Sequence, residues 1–162
     1  MIKRIISATL VAALVAVLAL AFPQDRAAAL VGTTVVTGAG AGVFPAGASF
    51  QGIELAGGTF GFGAQSTNTG TANGDLELQV NGNSLIGLSQ WITITGWITQ
   101  ATVNADGTIT MNGTGTLDLG DGTAPTGGLA LVANVSLSGI QVTIGGTAVP
   151  MLPKSDGWIA IE

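Results

Sequence analysis

Hydrophobic and polar residues alternate one by one between residues 91 and 99, and a period of two is the side-chain period of a β-strand. In such a strand, Ile92, Ile94 and Ile98 share one face with a glycine, while tryptophans and threonines occupy the other. We expect the isoleucine face to contact a hydrophobic core. The opposite face has no such requirement, and it is where we expect any ligand to bind.

A second alternating segment, residues 108–119, follows the turn sequence Asn104–Gly107, whose Asp-Gly pair is typical of β-hairpins. If Val103 lies opposite Thr108, apolar residues meet apolar residues across the hairpin, and threonines meet threonines. The expected pairs are Gly96 with Gly115, Ile94 with Leu117, Ile92 with Leu119, Trp97 with Thr114, Thr95 with Thr116, and Thr93 with Asp118. A slip of one residue would oppose isoleucine to threonine. A two-residue Asp-Gly loop is the alternative, which preserves the faces and shifts the register by two.

The rest of the chain carries further short apolar segments between glycine-rich turns. The predicted strands are residues 31–37, 50–55, 59–65, 75–80, 129–137, 140–144 and 157–161. Gly38–Pro45 is predicted as a flexible connection, Gly57-Gly58 as a break between strands, and Asn81-Gly82 as a turn. Because we find no amphipathic helix after residue 29, about nine or ten short strands predict an all-β fold. An antiparallel β-sandwich of jelly-roll or Ig-like type is the expected architecture, with a β-barrel as the alternative.

Glycine occupies alternate positions in one of these predicted strands. Phe60 and Phe62 share one face of residues 59–65, and Gly61 and Gly63 share the other. A glycine face in a strand usually means that another element packs very close or that the strand twists strongly. We expect one of these two explanations to hold.

Residues 1–29 have the composition of an export signal. The segment begins with two positive charges, Lys3 and Arg4, and continues with the unbroken apolar run Ile5–Ala21. It ends with small residues suited to signal-peptide cleavage, Ala27–Ala29. We expect a signal helix that is removed, leaving residues 30–162 as one secreted or cell-surface domain. Cleavage after Ala19–Ala21 is one alternative. An uncleaved anchor is the other, because a run of about 17 apolar residues is near the shortest that spans a bilayer.

Loss of residues 1–29 would leave Lys154 as the remaining cation of the domain. The eight acids that stay are Glu54, Asp75, Glu77, Asp106, Asp118, Asp121, Asp156 and Glu162. Nucleic-acid affinity depends mainly on lysine and arginine, so this charge balance argues against DNA and RNA as partners. After cleavage we also expect no membrane contact, and the remaining partners to be tested are glycans and other surface proteins.

The sequence contains neither cysteine nor histidine. Disulfides are therefore impossible, although an exported protein would meet an oxidising environment. Catalytic triads with a histidine base and metal sites built from cysteine or histidine are excluded as well. We expect no enzymatic activity and no cofactor. The one candidate for a bound ion is calcium, at Asp118 and Asp121.

Four short motifs resemble, in their order along the chain, a family of exported bacterial β-sandwich modules known as post-COAP domains. The motifs are Gly58–Ala64, Gly74–Leu78, Thr110–Thr116 and Asp156–Ile161. The resemblance covers residues 57–162. It implies an exported β-module of unassigned activity that is often joined to other surface domains, and it implies no catalytic residues.

The candidate ligand site lies on the tryptophan and threonine face of the predicted hairpin. Its residues are Trp91, Thr93, Thr95, Trp97, Thr114 and Thr116. Trp91 and Trp97 would lie about 20 Å apart on a straight strand, at a spacing suited to stacking against a sugar chain. The alternative is that both tryptophans are buried under a loop or a neighbouring module.

Two pairs of carboxylates suggest other chemistry. Asp118 and Asp121 lie in a glycine-rich loop and could supply oxygen ligands to Ca²⁺, which needs about 6–8 of them. Asp75 and Glu77 share a strand face and could imitate the acid pair of a glycosidase. In each case a solvated pair of acids is the simpler interpretation. The sequence therefore predicts a non-enzymatic structural or adhesive module, with a carbohydrate-binding module and a minimal carboxylate-based hydrolase as alternatives.

Overall fold

The computed structural model describes residues 33–162, so the predicted signal helix lies outside the described residues. The strands are β1 (Thr34–Val43), β2 (Ser49–Phe50), β3 (Ile53–Ser66), β4 (Thr71–Asn83), β5 (Ser89–Val103), β6 (Ile109–Asp118), β7 (Thr126–Ser136), β8 (Gly139–Ile144), β9 (Thr147–Ala148), β10 (Leu152–Pro153) and β11 (Asp156–Ile161). No helix in this part of the chain is long and apolar enough to cross a membrane. The prediction of an all-β fold is confirmed.

All eleven strands belong to one antiparallel sheet, which curls around its own inner face. The strand order is β10-β8-β7-β6-β5-β4-β3-β1-β11, with β2 added to β3 and β9 to β8. The C-terminal segment reaches both ends of this order, because Lys154 N donates to Ser138 O at 2.7 Å and Ser155 N donates to Ala41 O at 2.9 Å. Within residues 33–162 the pairing shows a single curled sheet and does not show the two separate sheets of a sandwich.

The inner face of the curled sheet holds one continuous hydrophobic core, and we call the opposite side the outer face. The largest fully buried side chains of the core are Val36, Phe50, Leu78, Ile92, Ile94, Ile98, Ile109, Met111, Leu131, Ile140, Ile144 and Leu152. Ile92, Ile94 and Ile98 are each 0 % exposed, so the predicted core face of β5 is confirmed. Burial of one such side chain contributes about 1.5–3 kcal/mol.

The β5–β6 hairpin has the predicted register in its middle. Gly96 lies opposite Gly115, Ile94 opposite Leu117 and Thr95 opposite Thr116. The expected pairing of Val103 with Thr108 is wrong by one residue, because a bulge at Thr99 shifts the register and places Val103 opposite Ile109.

The interpretation of Gly38–Gly42 as a flexible connection is wrong, because these residues continue β1. Phenylalanine rings of β3 lie over the inward-facing glycines: a Cβ on Gly38 would come within 2.6 Å of Phe62 Cζ, and one on Gly40 within 2.8 Å of Phe60 Cζ. Glycine is needed here so that β1 can lie under the rings. Close packing, one of the two explanations offered for Gly61 and Gly63, is wrong for those residues, because a Cβ on either would meet no atom closer than 3.8 Å.

Two further predicted breaks also lie inside strands. β3 continues through Gly57-Gly58 with a bulge after Leu55, and β4 continues through Asn81-Gly82. The chain reverses instead at Ser84–Leu88, where Ser84 N donates to Leu88 O at 2.8 Å. By contrast, a tight turn at Leu137 and Ser138 joins β7 to β8, directly before Gly139. Glycine in this chain thus indicates tight packing as often as it indicates a turn.

Candidate functional site

The tryptophans of the predicted site lie on the outer face, uncovered by any loop of residues 33–162. Trp91 is 60 % exposed and Trp97 is 57 % exposed. Burial under a loop of the described chain, which the sequence left open, is therefore wrong. Trp97 follows Trp91 by six positions along β5, which places their backbones about 20 Å apart.

The four threonines of the predicted site lie beside the tryptophans. Thr95 of β5 faces Thr116 of β6, and Trp97 faces Thr114. Thr93 completes the set one pair further along, opposite Asp118. The structure therefore brings all six predicted residues together on one face of one hairpin.

A third tryptophan, which the sequence did not assign to a site, extends this surface. Trp158 of β11 is 54 % exposed. It lies opposite Ala39 of β1, which lies opposite Gly61 of β3. The alternation of residues 157–161 could have indicated an outward tryptophan. Its position on the site depends on the pairing of β11 with β1, which joins the two ends of the described chain and leaves no local signal.

A shallow depression lies on the outer face between β3 and β5. Its lining residues are Gly61, Asp75, Leu76, Glu77, Thr95 and Gly96. A second depression continues it toward Thr59 and Gln79 and shares Gly61 and Glu77 with the first. The Gln79 amide donates to the Glu77 carboxylate, so the wall formed by β4 carries an amide and two acids. Such a surface offers hydrogen-bond partners for hydroxyl or amino groups.

The two candidate calcium ligands are engaged by their own loop. Asp118 Oδ1 accepts from Gly120 N at 2.9 Å, and Asp121 Oδ1 accepts from both the amide and the hydroxyl of Thr123. The hydroxyl bond, more than the amide bond, holds the pKa of Asp121 below its usual value. No group of three or more acids is assembled as a metal centre within residues 33–162. Calcium binding at Asp118 and Asp121 stays a prediction.

Asp75 and Glu77 lie exposed on the outer face of β4 with Leu76 between them pointing into the core. At a two-residue spacing their backbones are about 6.6 Å apart. The surface around them is open. A carboxylate-based hydrolase at Asp75 and Glu77 stays a prediction.

The two most exposed large apolar side chains of residues 33–162 lie elsewhere, at the tip of the β4–β5 turn, with Leu88 beside them. Leu85 is 93 % exposed, Ile86 81 % and Leu88 61 %. No charged residue occurs between Glu77 and Asp106, so this tip is uncharged as well as apolar. Exposed apolar clusters of this kind are typical of contact surfaces.

Comparison of the chain with family models, with curated proteins and with solved structures finds no match. The resemblance to post-COAP domains therefore stays a prediction that rests on the four sequence motifs alone. A function for this chain has to be inferred from its own residues and their geometry.

Proposed function

We propose that this chain is an exported, non-enzymatic β-module of the cell surface or extracellular matrix, and that it acts in adhesion through the outer face of its curled sheet. The observation that supports this proposal is the exposure of all three tryptophans on that face. Large aromatic side chains normally contribute most when buried, so three exposed indoles on a well-packed domain favour a binding role. The module would be of the β-sandwich type that the post-COAP resemblance implies.

Carbohydrate is the ligand class that this surface suits best. Indole rings offer flat apolar faces against which sugar rings stack, and the neighbouring threonines offer hydroxyl groups for hydrogen bonds. The described residues contain a single cation, Lys154, against eight acids, so anionic polymers would be repelled. The proposed ligand is therefore an uncharged or positively charged glycan.

Glycan binding by the exported protein tests this proposal. We expect retention on at least one immobilised polysaccharide, loss of retention in Trp97→Ala, and substantial retention in Trp97→Phe, because phenylalanine keeps an aromatic face. Leu137→Ala is a matched control, since Leu137 is 75 % exposed in the β7–β8 turn, away from the tryptophans. Unchanged retention of Trp97→Ala would contradict the proposal. Turnover of a polysaccharide that is lost in Asp75→Asn would instead support the hydrolase.

Export itself is tested separately. We propose cleavage after Ala29, so N-terminal sequencing of secreted protein is expected to begin at Leu30. A sequence beginning at Met1 or Ile2 would contradict cleavage and favour a retained anchor.

A further inference from the structure

The outer face between Trp97 and Trp158 contains two glycines that the fold does not require. A Cβ on Gly61 would meet no atom within 4 Å, and one on Gly63 would meet its nearest neighbour, Thr37 Cγ2, at an ordinary 3.8 Å. Neither glycine has a positive φ. Glycine weakens a strand interior, and neither close packing nor a positive φ accounts for it at these two positions.

Other glycines within the strands behave differently. A Cβ would come within 3.0 Å of another atom at Gly38, Gly40, Gly42, Gly57, Gly58, Gly74, Gly82, Gly96, Gly113 and Gly115. Apart from Gly61 and Gly63, one other glycine of the described strands has an ordinary φ value and room for a Cβ. This is Gly127, near the start of β7. The space above Gly61 and Gly63 is thus a local feature of the surface that carries the tryptophans.

Strand pairing gives the dimensions of this surface. Trp158, Ala39, Gly61, Glu77 and Thr95 lie side by side on five neighbouring strands, from β11 to β5. Four strand spacings of about 4.8 Å place the two ends about 19 Å apart along the sheet. Trp97 lies two residues beyond Thr95 on the same face. We call this surface, bounded by Trp97 and Trp158 and floored by Gly61 and Gly63, the Trp97–Trp158 trough.

One side of the Trp97–Trp158 trough is acidic. Asp75 lies opposite Gly63 and Trp97, and Glu77 lies opposite Gly61 and Thr95. Lys154, the one lysine or arginine among residues 33–162, extends its Nζ to Gly157 O at 3.3 Å, next to the Asp156 carboxylate, which accepts from Gly157 N. The carboxylates of Asp75 and Glu77 therefore lie on a surface of net negative charge.

We propose that the Trp97–Trp158 trough binds a linear polysaccharide of amino sugars that carry free ammonium groups. This inference rests on the proposed function and specifies its ligand. Trp97 and Trp158 stack against sugar rings, and the glycine floor lets the polymer lie close to the sheet. Asp75 and Glu77 accept hydrogen bonds from the ammonium groups, which form stronger bonds to carboxylates than neutral hydroxyls do.

The charge of the surface selects this class among glycans. A polymer with carboxylate or sulfate groups would place like charges against Asp75 and Glu77. A neutral polymer would keep the stacking contacts and lose the charge-assisted bonds. Binding of the amino polymer is thus expected to be strongest and to weaken with added salt, since the Debye length falls from about 30 Å at 0.01 M to about 3 Å at 1 M ionic strength.

The experiment is calorimetric titration of the exported protein with three probes at low and high salt: a glucosamine oligomer, the same oligomer fully N-acetylated, and a neutral glucan oligomer. Gly61→Val fills the floor of the trough at a position where a Cβ meets no atom within 4 Å, and Trp158→Ala removes one end of the trough. Leu137→Ala is the control, since it removes an exposed apolar side chain from the β7–β8 turn, outside the trough. Glu77→Gln removes one charge and keeps the shape of the side chain.

We expect the glucosamine oligomer to bind most tightly, and Trp158→Ala and Gly61→Val each to weaken it about tenfold or more, as loss of an anchoring contact does. Glu77→Gln should remove most of the difference between the amino and the acetylated oligomer, and Leu137→Ala should bind as the original protein does. Equal binding of all three probes, with no effect of Glu77→Gln, would overturn the amino-sugar inference and leave the proposed glycan binding intact. Absence of binding to every probe at either salt concentration would also overturn the amino-sugar inference, whereas the proposed glycan binding is decided by the retention experiment on immobilised polysaccharides.

Discussion

Two pairs of glycines on neighbouring strands have opposite meanings in this fold. Gly38 and Gly40 of β1 face the core, where the rings of Phe62 and Phe60 occupy the space that a Cβ would need. Gly61 and Gly63 of β3 face outward, where that space is open. The sequences around the two pairs alternate in the same way, yet the first pair is required by packing and the second is not.

The fold needs glycine at positions 38 and 40 for packing, whereas glycine at positions 61 and 63 is a candidate requirement of ligand binding. Interiors pack as densely as organic crystals, so a missing side chain on the inner face is explained by whatever fills its place. On the outer face nothing from the described chain fills the place above Gly61. Packing within the described chain does not explain that gap, and we propose that a ligand does.

The largest expected effect lies on the inner face. Ile94→Ala should lower the free energy of unfolding by about 2–5 kcal/mol, because it removes a fully buried side chain and leaves a cavity in the core. Urea denaturation of the purified domain measures the loss. A change below about 0.5 kcal/mol, the usual size of a surface effect, would mean that the inner face is not the core.

A somewhat smaller loss is expected when an inner-face glycine is enlarged. A Cβ on Gly115 would come within 2.8 Å of Thr95 O and 2.9 Å of Leu131 Cδ1, so Gly115→Val should cost about 1–3 kcal/mol by overpacking. Leu131→Ala in the same chain should offset part of that cost. A double-mutant cycle measures the coupling, which is expected at about 0.5–3 kcal/mol. Strict additivity of the two changes would show that Leu131 is not what fills the space over Gly115.

The smallest effect is expected one position from the core. Thr95 lies exposed on the outer face, so Thr95→Ala should change the free energy of unfolding by no more than about 0.5 kcal/mol. Denaturation beside Ile94→Ala gives the comparison directly. If the two variants were equally unstable, both faces of β5 would be buried, and the tryptophans could not form an open binding surface.

Local patterns in the sequence predicted the faces of β5 and β6 and the register in the middle of their hairpin. Alternation determines which residues share a face, and a short turn limits which residues can pair. The bulge at Thr99 was not predictable in this way, because Ile98 and Gln100 read as ordinary strand positions on either side of it.

The trough depends on pairing over long distances in the chain, which alternation does not determine. The pairing of β11 with β1 places Trp158 beside Ala39. The pairing of β3 with both β1 and β4 places Gly61 between Ala39 and Glu77. Glycine was also ambiguous in the sequence. Gly38–Gly42 suggested a flexible loop, whereas in the fold the phenylalanine rings of β3 cover its inward-facing glycines. The exposure of Trp91 and Trp97, left open by the sequence, required the structure.

The most direct test compares one alanine substitution in each glycine pair. Gly40→Ala would place a Cβ 2.6 Å from Asp156 O and 2.8 Å from Phe60 Cζ, so it should lower the free energy of unfolding by about 1–3 kcal/mol. Gly61→Ala meets nothing within 4 Å and should leave stability unchanged or raise it by about 0.4–1 kcal/mol, since alanine restricts the unfolded chain. Chemical denaturation of both variants measures the contrast. A loss in Gly61→Ala as large as that in Gly40→Ala would show that the fold itself needs the outer glycines, and would contradict their assignment to a ligand.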